Sequence, residues 1–378
     1  MKPTLFHCGS VLLICCFFAY PEDTRPPSPC SATEGHTGTP AVIAERRGLY
    51  VSVPTNVDLL LTLDNGKSVY SEGEIIPLKL AFTSTAKGKY ASSTRTYDRS
   101  GRLDLETFCI SPDRGRDPLQ DYYDSGVFGA FVGGGLSAVD QPLGRVAYIV
   151  NEELNEWKSL PPGSYTLRVA SDRVIQTRPT GATGPGSGPV LVLSNAVTFQ
   201  VVAATPQWQS DQLTLALSVL DAKRDKLTRT QFDQIQHAER VLRFLGTEGS
   251  TRELARRFWF YDQQSGPPHT PGLVYPESEF YRSSLDSNFW NFKAGLIGSP
   301  FRNVAIEELN AMLDDHQHPA TRAMVETLAL LEIQSKSEYR FLPYESSQKE
   351  KWEKQHQAKA AAYNEIVETL WKRLASNR

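Results

Sequence analysis

The feature that most constrains this chain is a change of hydrophobic rhythm at Thr205-Pro206. Before it, apolar residues recur at every second position. Val57, Leu59, Leu61 and Leu63 alternate with Asp58, Leu60 and Thr62, and Ile76, Leu78, Leu80 and Phe82 alternate with Pro77, Lys79 and Ala81. Tyr165, Leu167 and Val169 repeat the rule, as do Val197, Phe199 and Val201. A period of two turns one face of a strand inward. Turn formers such as Asp64-Asn65-Gly66, Arg99-Ser100-Gly101 and Pro161-Pro162-Gly163 separate these short runs, which predicts an antiparallel β-sandwich over 48–203.

Beyond Pro206 the spacing becomes helical, starting with Leu213, Leu217 and Leu220. Thr228-Arg-Thr-Gln231 reads as a capping box for a helix that Gly246 closes, and Ser250-Thr-Arg-Glu253 as the opening of the next. Ser299-Pro300 should cap a helix carrying Phe301, Val304, Ala305, Leu309, Met312 and Leu313. Pro319 should open another with Ala320, Met324, Leu328 and Leu331 inward. Ser347-Gln-Lys-Glu350 opens a long last helix with Trp352, Ala360, Tyr363, Ile366, Leu370 and Leu374 on one face. Helices joined by so few residues lie antiparallel, and none can bury its stripe alone. The expected fold class is therefore multidomain, all-β followed by all-α, with the helical domain over 207–378.

The first residues have a different character. Lys2 precedes the apolar run Val11–Ala19, too short to span a bilayer and suited to a signal h-region, so 1–20 reads as a signal peptide or N-terminal anchor. Leu13-Ile14-Cys15-Cys16 resembles a bacterial lipoprotein box, with Cys16 as the lipidated residue in that reading. Residues 21–47 are rich in Pro, Ser and Thr without an apolar face, and read as a disordered spacer. Of five cysteines, Cys8, Cys15 and Cys16 fall in the leader, which excludes a disulfide-rich scaffold. Cys109 reads as a buried, unpaired thiol; a Cys30–Cys109 bridge is the alternative in an oxidising compartment. The net charge of −3 gives no pull toward nucleic acid, and membrane contact is expected only through the leader.

Two motifs carry a resemblance. Tyr70-Ser-Glu-Gly73-Glu74-Ile-Ile76 resembles the strand entry of macroglobulin-like and other immunoglobulin-like extracellular sandwiches. Leu160-Pro-Pro-Gly163-Ser-Tyr165-Thr-Leu167-Arg-Val169 is similar to a hairpin of the same folds. The pairing of Phe244-Leu245-Gly246-Thr247 with Leu296-Ile297-Gly298-Ser299 suggests an internal repeat, and the layout resembles HEAT-type helical repeats with an insertion from Gln263 to Tyr275. These resemblances imply a fold and an extracellular setting, not a chemistry.

Motifs for a zinc protease, a serine hydrolase, a C-x-x-C redox pair and a P-loop are all missing. His316 and His318 beside Asp314 and Asp315 form the densest ligand-type cluster and a candidate metal site, equally readable as a polar loop. Asp113, Asp117, Asp121 and Asp124 suit either a calcium loop or a solvated one. Trp259, Tyr261, Trp290 and Phe292 read as core aromatics rather than a ligand box. The expected role is non-catalytic binding of a protein or peptide, or scaffolding, in a bacterial cell envelope, with no cofactor. The candidate residues form a ridge at the helix joints: Arg252, Arg256, Arg302, Asn303 and Arg322. Two other readings stay open. One is a hydrolase or glycan-processing enzyme using carboxylates in the interdomain cleft. The other is a protease-inhibitor-like module presenting Gly181–Gly188.

Overall fold

One long strand, Gly163–Gln176, organises the first half of the molecule. The computed structural model describes residues 54–95, 105–120, 140–177, 189–222, 228–264, 291–314, 322–336 and 349–376. In chain order the strands are β1 (Val57–Leu63), β2 (Val69–Ser71), β3 (Pro77–Ser84), β4 (Tyr90–Ser92) and β5 (Glu106–Ser111). They continue with β6 (Gln141–Pro142), β7 (Tyr148–Glu153), β8 (Gly163–Gln176), β9 (Pro189–Leu193) and β10 (Val197–Val202). β8 pairs with β10 and then β9 along one edge, and with β5 and then β4 along the other. With β2 and β6 outermost this makes a seven-stranded sheet, and β1-β3-β7 form a second of three strands.

The two sheets share one core. Leu61, Leu80, Phe82 and Val150 from the small sheet meet Tyr165, Leu167, Val169 and Phe199 from the large one. The inward residues are those the alternation marks, since β1 and β3 bury every second side chain. The pairing departs from the antiparallel expectation where β2 runs parallel to β10, and at a single parallel bridge between Leu59 and Ser194. Alternation specifies which face of a strand is buried and is silent on the direction of its neighbour. The span Asn151–Trp157, open to a short helix on sequence, ends β7 and makes a single 3₁₀ turn, Leu154–Glu156.

The handover comes three residues after β10. Thr205 accepts a hydrogen bond from the Trp208 N–H and starts α1 (Pro206–Leu220). α2 (Arg229–Leu245) opens with the capping box of Thr228 and Gln231 and closes on Gly246 at φ 61°. α3 (Glu248–Gln264) starts earlier than the Ser250 box suggests. Thr247 caps it instead, exchanging backbone-to-hydroxyl bonds with Ser250 at 3.0 and 3.1 Å. Residues 291–298 form α4, followed by α5 (Arg302–Asp314), α6 (Arg322–Ser335) and α7 (Lys349–Ser376).

α1 packs on α2, α2 on α3, α3 on α5, α5 on α6 and α6 on α7. Leu242, Leu254, Phe258, Phe292, Leu309 and Leu328 are fully buried in the resulting core. Phe292 is thus a core residue; the side chains of Trp259, Tyr261 and Trp290 lie outside the described residues. Among the described residues no helix is long and apolar enough to cross a membrane.

Cys109 on β5 is disulfide-bonded, which corrects the reading of an unpaired thiol. Its partner lies outside the described residues; Cys109 is buried on the face of β5 opposite the core residues Phe108 and Ile110. The leader with Cys16, the 21–47 spacer, Asp121 and Asp124, Gly181–Gly188, and His316 and His318 also lie outside them.

A buried charge cluster links the two sheets. Arg173 continues the inward alternation of Tyr165, Leu167, Val169 and Ser171, and the register shift of β8 between Ser171 and Val174 brings Val174 inside as well. Arg173 donates to both Glu106 oxygens, at 2.7 and 2.9 Å, and to the Ser93 carbonyl at 3.1 Å. Glu152 of the opposite sheet lies 3.7 Å from the same guanidinium, too far for a hydrogen bond. Glu106 already matches the positive charge. Burial first, and then the nearby Glu106, therefore push the Glu152 carboxyl up to about 8.

A carboxyl whose folded pKa is raised stabilises the fold fully below its unfolded value of 4.5, and that contribution is lost as pH rises to about 8. The shift corresponds to at most ~5 kcal/mol. Glu152→Gln should remove this dependence, unfolding with wild-type stability at about pH 5 and at clearly higher urea than wild type at about pH 9. Parallel curves for the two proteins would contradict a buried, protonated Glu152.

Candidate functional site

The sheets and the helices meet along a seam built from the end of β7 and the last turn of α2. Glu156, in the 3₁₀ turn after β7, takes both terminal nitrogens of Arg243 at 2.5 Å each, and Arg243 also donates to Asn291 Oδ1 of α4 at 3.1 Å. One turn earlier on α2, Arg240 lies 2.8 Å from Glu153 Oε1. Burial holds Glu153 above the usual carboxylate range despite Arg240, and its Oε2 accepts no hydrogen bond among the described residues. These arginines stand at a helix C-terminus, where cations are favoured.

Three further contacts close the joint. Leu119, an isolated apolar residue in the 111–120 loop, is fully buried in the helical core. Arg116 donates to the Gly298 carbonyl at the end of α4, at 3.3 Å. Gly73 sits at φ 82°, and a Cβ there would lie 2.9 Å from Leu245 O, so only glycine fits against the end of α2.

Beside this seam opens a cleft of about 620 Å³. Four stretches that stand out in the sequence converge on it. The Tyr70–Ile76 strand entry contributes Ser71 to Glu74 and Ile76, and the Leu160-Pro161 hairpin supplies another wall. The two helix joints contribute Phe244, Leu245 and Gly246, and then Gly298 and Pro300. Phe301, expected inside its helix stripe, is instead 38% exposed at the cleft. It precedes α5, and its N–H donates to Ser299 Oγ at 3.0 Å.

One wall is cationic and fixed. Arg116 and Ser159 exchange backbone hydrogen bonds at 3.2 and 2.8 Å, pinning the loop that carries Arg114 and Arg116. Lys158 completes the wall and is paired with Asp113 at 3.2 Å. Asp117 caps its own turn by accepting from the Leu119 N–H at 2.8 Å. Arg114 and Arg116 have no carboxylate partner among the described residues. Opposite them, Glu74 is held by Lys67 and by the Ser71 N–H at 2.8 Å. Burial pushes the Tyr165 phenol up, Arg114 pulls it down and Glu72 pushes it up, so both charges sit near that ring.

The ridge proposed from sequence is arranged differently. Arg252 and Arg256 converge on Glu308, and each also meets an acid of its own helix, Glu248 and Glu253 respectively. Their charge is balanced locally. Arg302 donates to the Gln334 carbonyl at 3.3 Å, and Asn303 is exposed on the first turn of α5. Arg322 opens α6, its side chain lying outside the described residues. Among the described residues no three His, Cys, Asp or Glu side chains gather in a metal-binding group.

Sequence reasoning missed the cleft residues Arg114 and Arg116 as a binding wall. The one available signal was two basic residues flanking Gly115 in a loop otherwise rich in aspartate. No protein-family model matches this chain, and no curated protein sequence does either.

Proposed function

We propose that this is an exported, non-catalytic binding or scaffolding protein of a bacterial-type cell envelope, built from an immunoglobulin-like sandwich and a short HEAT-like helical stack. The observation that carries the reading is the cleft itself: Arg114, Arg116 and Phe301 are exposed along it, and of its two glutamates Glu74 is already held by Lys67 and the Ser71 N–H. Tyr165 supports the sandwich assignment. Its hydroxyl donates to the Pro161 carbonyl at 2.6 Å, the kind of corner such sandwiches use. For the helical stack, the two repeated joints are tied by Thr251 and Ser299, whose hydroxyl oxygens lie 2.6 Å apart. The disulfide at Cys109 suits an oxidising compartment outside the cytosol.

The hydrolase reading needs convergent carboxylates with raised pKa in an open cleft. The carboxyls raised among the described residues, Glu152, Glu153 and Glu332, all lie outside the cleft lining. Cross-linked affinity capture from envelope extract tests the binding role. Wild type should retain a defined protein that a Phe301→Asp variant loses; recovery of the same set by both would contradict it. Export has its own readout: in protein isolated without reductant, Cys109 should resist alkylation until the chain is reduced.

A further inference from the structure

We infer that the cleft at the sheet–helix joint is a site for an extended acidic peptide, its carboxylates taken by Arg114 and Arg116 and its apolar side chains by Phe244 and Phe301. This deepens the binding role proposed above and rests on it. The argument starts from what each wall offers. Arg114 and Arg116 are exposed and cationic, and stand on a loop that backbone bonds between Arg116 and Ser159 hold in place. A ligand carboxylate therefore meets two arginines on a fixed backbone, so the ordering cost of binding falls on their side chains.

The remaining surface selects among anions. The carbonyl end of α2 faces Gly73 on one side of the cleft, and the carbonyl end of α4 at Gly298 lies on another. Helix C-termini carry partial negative charge, and Glu72 adds a full one. Together they oppose negative charge except where Arg114 and Arg116 offset it, which disfavours a compact dianion such as phosphate relative to carboxylates spread along a chain. The Gly298 carbonyl already accepts from Arg116, and the Leu245 carbonyl is packed against Gly73. The apolar floor, with Phe301 at its edge, has no role in phosphate recognition and a direct one for a hydrophobic side chain beside an acidic one.

The test is selection of a phage-displayed library of random linear peptides on the purified full chain, followed by fluorescence anisotropy of the enriched peptides. Enrichment in Asp or Glu next to aromatic or aliphatic residues is expected. Affinity should fall with added salt and drop by about tenfold or more in Arg114→Glu/Arg116→Glu. Both positions are exposed, and an unchanged melting temperature would show that the variant folds. Acidic peptides that bind the double variant as well as wild type would overturn the inference. Neutral or basic peptides lost on Phe301→Asp would overturn the acidic class and leave the cleft as a binding site. Enrichment of no peptide would overturn the inference and count against the binding role as well.

Discussion

Replacing Arg173 by alanine should cost about 3–5 kcal/mol of folding stability, because it strands a charge inside the sandwich. The Arg173 and Glu106 side chains are 0% and 1% exposed, and their two-point contact is completed by Ser171 donating to Glu106 at 3.1 Å. Without the guanidinium, Glu106 keeps one hydroxyl donor and no counter-charge, while the Ser93 and Arg95 carbonyls lose the group that satisfies them. Urea denaturation at neutral pH reads the loss directly. The paired replacement Arg173→Met/Glu106→Leu removes both charges but still strands the two carbonyls, so it should recover part of the loss and unfold between the alanine variant and wild type. An alanine variant within about 1 kcal/mol of wild type would show that the pair is not buried as described.

Arg243→Ala should cost about 3 kcal/mol and should also change the form of the unfolding curve. Glu156, 21% exposed at its side chain, keeps some access to water, which places the cost below that at Arg173. The larger consequence is mechanical. Arg243 is the residue through which the turn after β7, the end of α2 and the start of α4 hold one another. Its stem also packs against Gly295, where a Cβ would come within 3.3 Å of it. Arg243→Lys should recover little, because an ammonium cannot span both Glu156 oxygens and reach Asn291. Full recovery by lysine would reduce the contact to simple charge pairing.

The periodic elements were legible because one residue type repeats on one face. Leu59 and Leu61, Leu78 and Leu80, and Leu167 and Val169 announce strands whose inward sides can be named before any partner is known. The same holds for the capping box at Thr228, a local motif that needs nothing distant. What stayed hidden depends on contacts between positions far apart. Glu156 and Arg243 are separated by 87 residues, and nothing local distinguishes Arg243 from any basic residue near a helix end.

Arg173 continues the inward parity of Tyr165, Leu167 and Val169, yet its charge hides it, because the partner that lets it be buried, Glu106, lies 67 residues away. Leu119 stands alone among polar neighbours and carries no period at all. Cys109 falls on the face of β5 away from Phe108 and Ile110, and a bond made outside the strand leaves no trace in the alternation. The ridge at Arg252 and Arg256 was visible as charge, but its pairing was not. Its balancing acids, Glu248, Glu253 and Glu308, were all in view, but which carboxylate meets which arginine is set by the packing of α3 on α5.

The central claim is that sheets and helices are locked together at the Glu156–Arg243 seam, so that the cleft beside it is a preformed site. Differential scanning calorimetry of the full chain tests this most directly. A locked joint predicts that both halves melt in one cooperative transition, which Arg243→Ala resolves into two. Two separate transitions in the wild-type protein would contradict it.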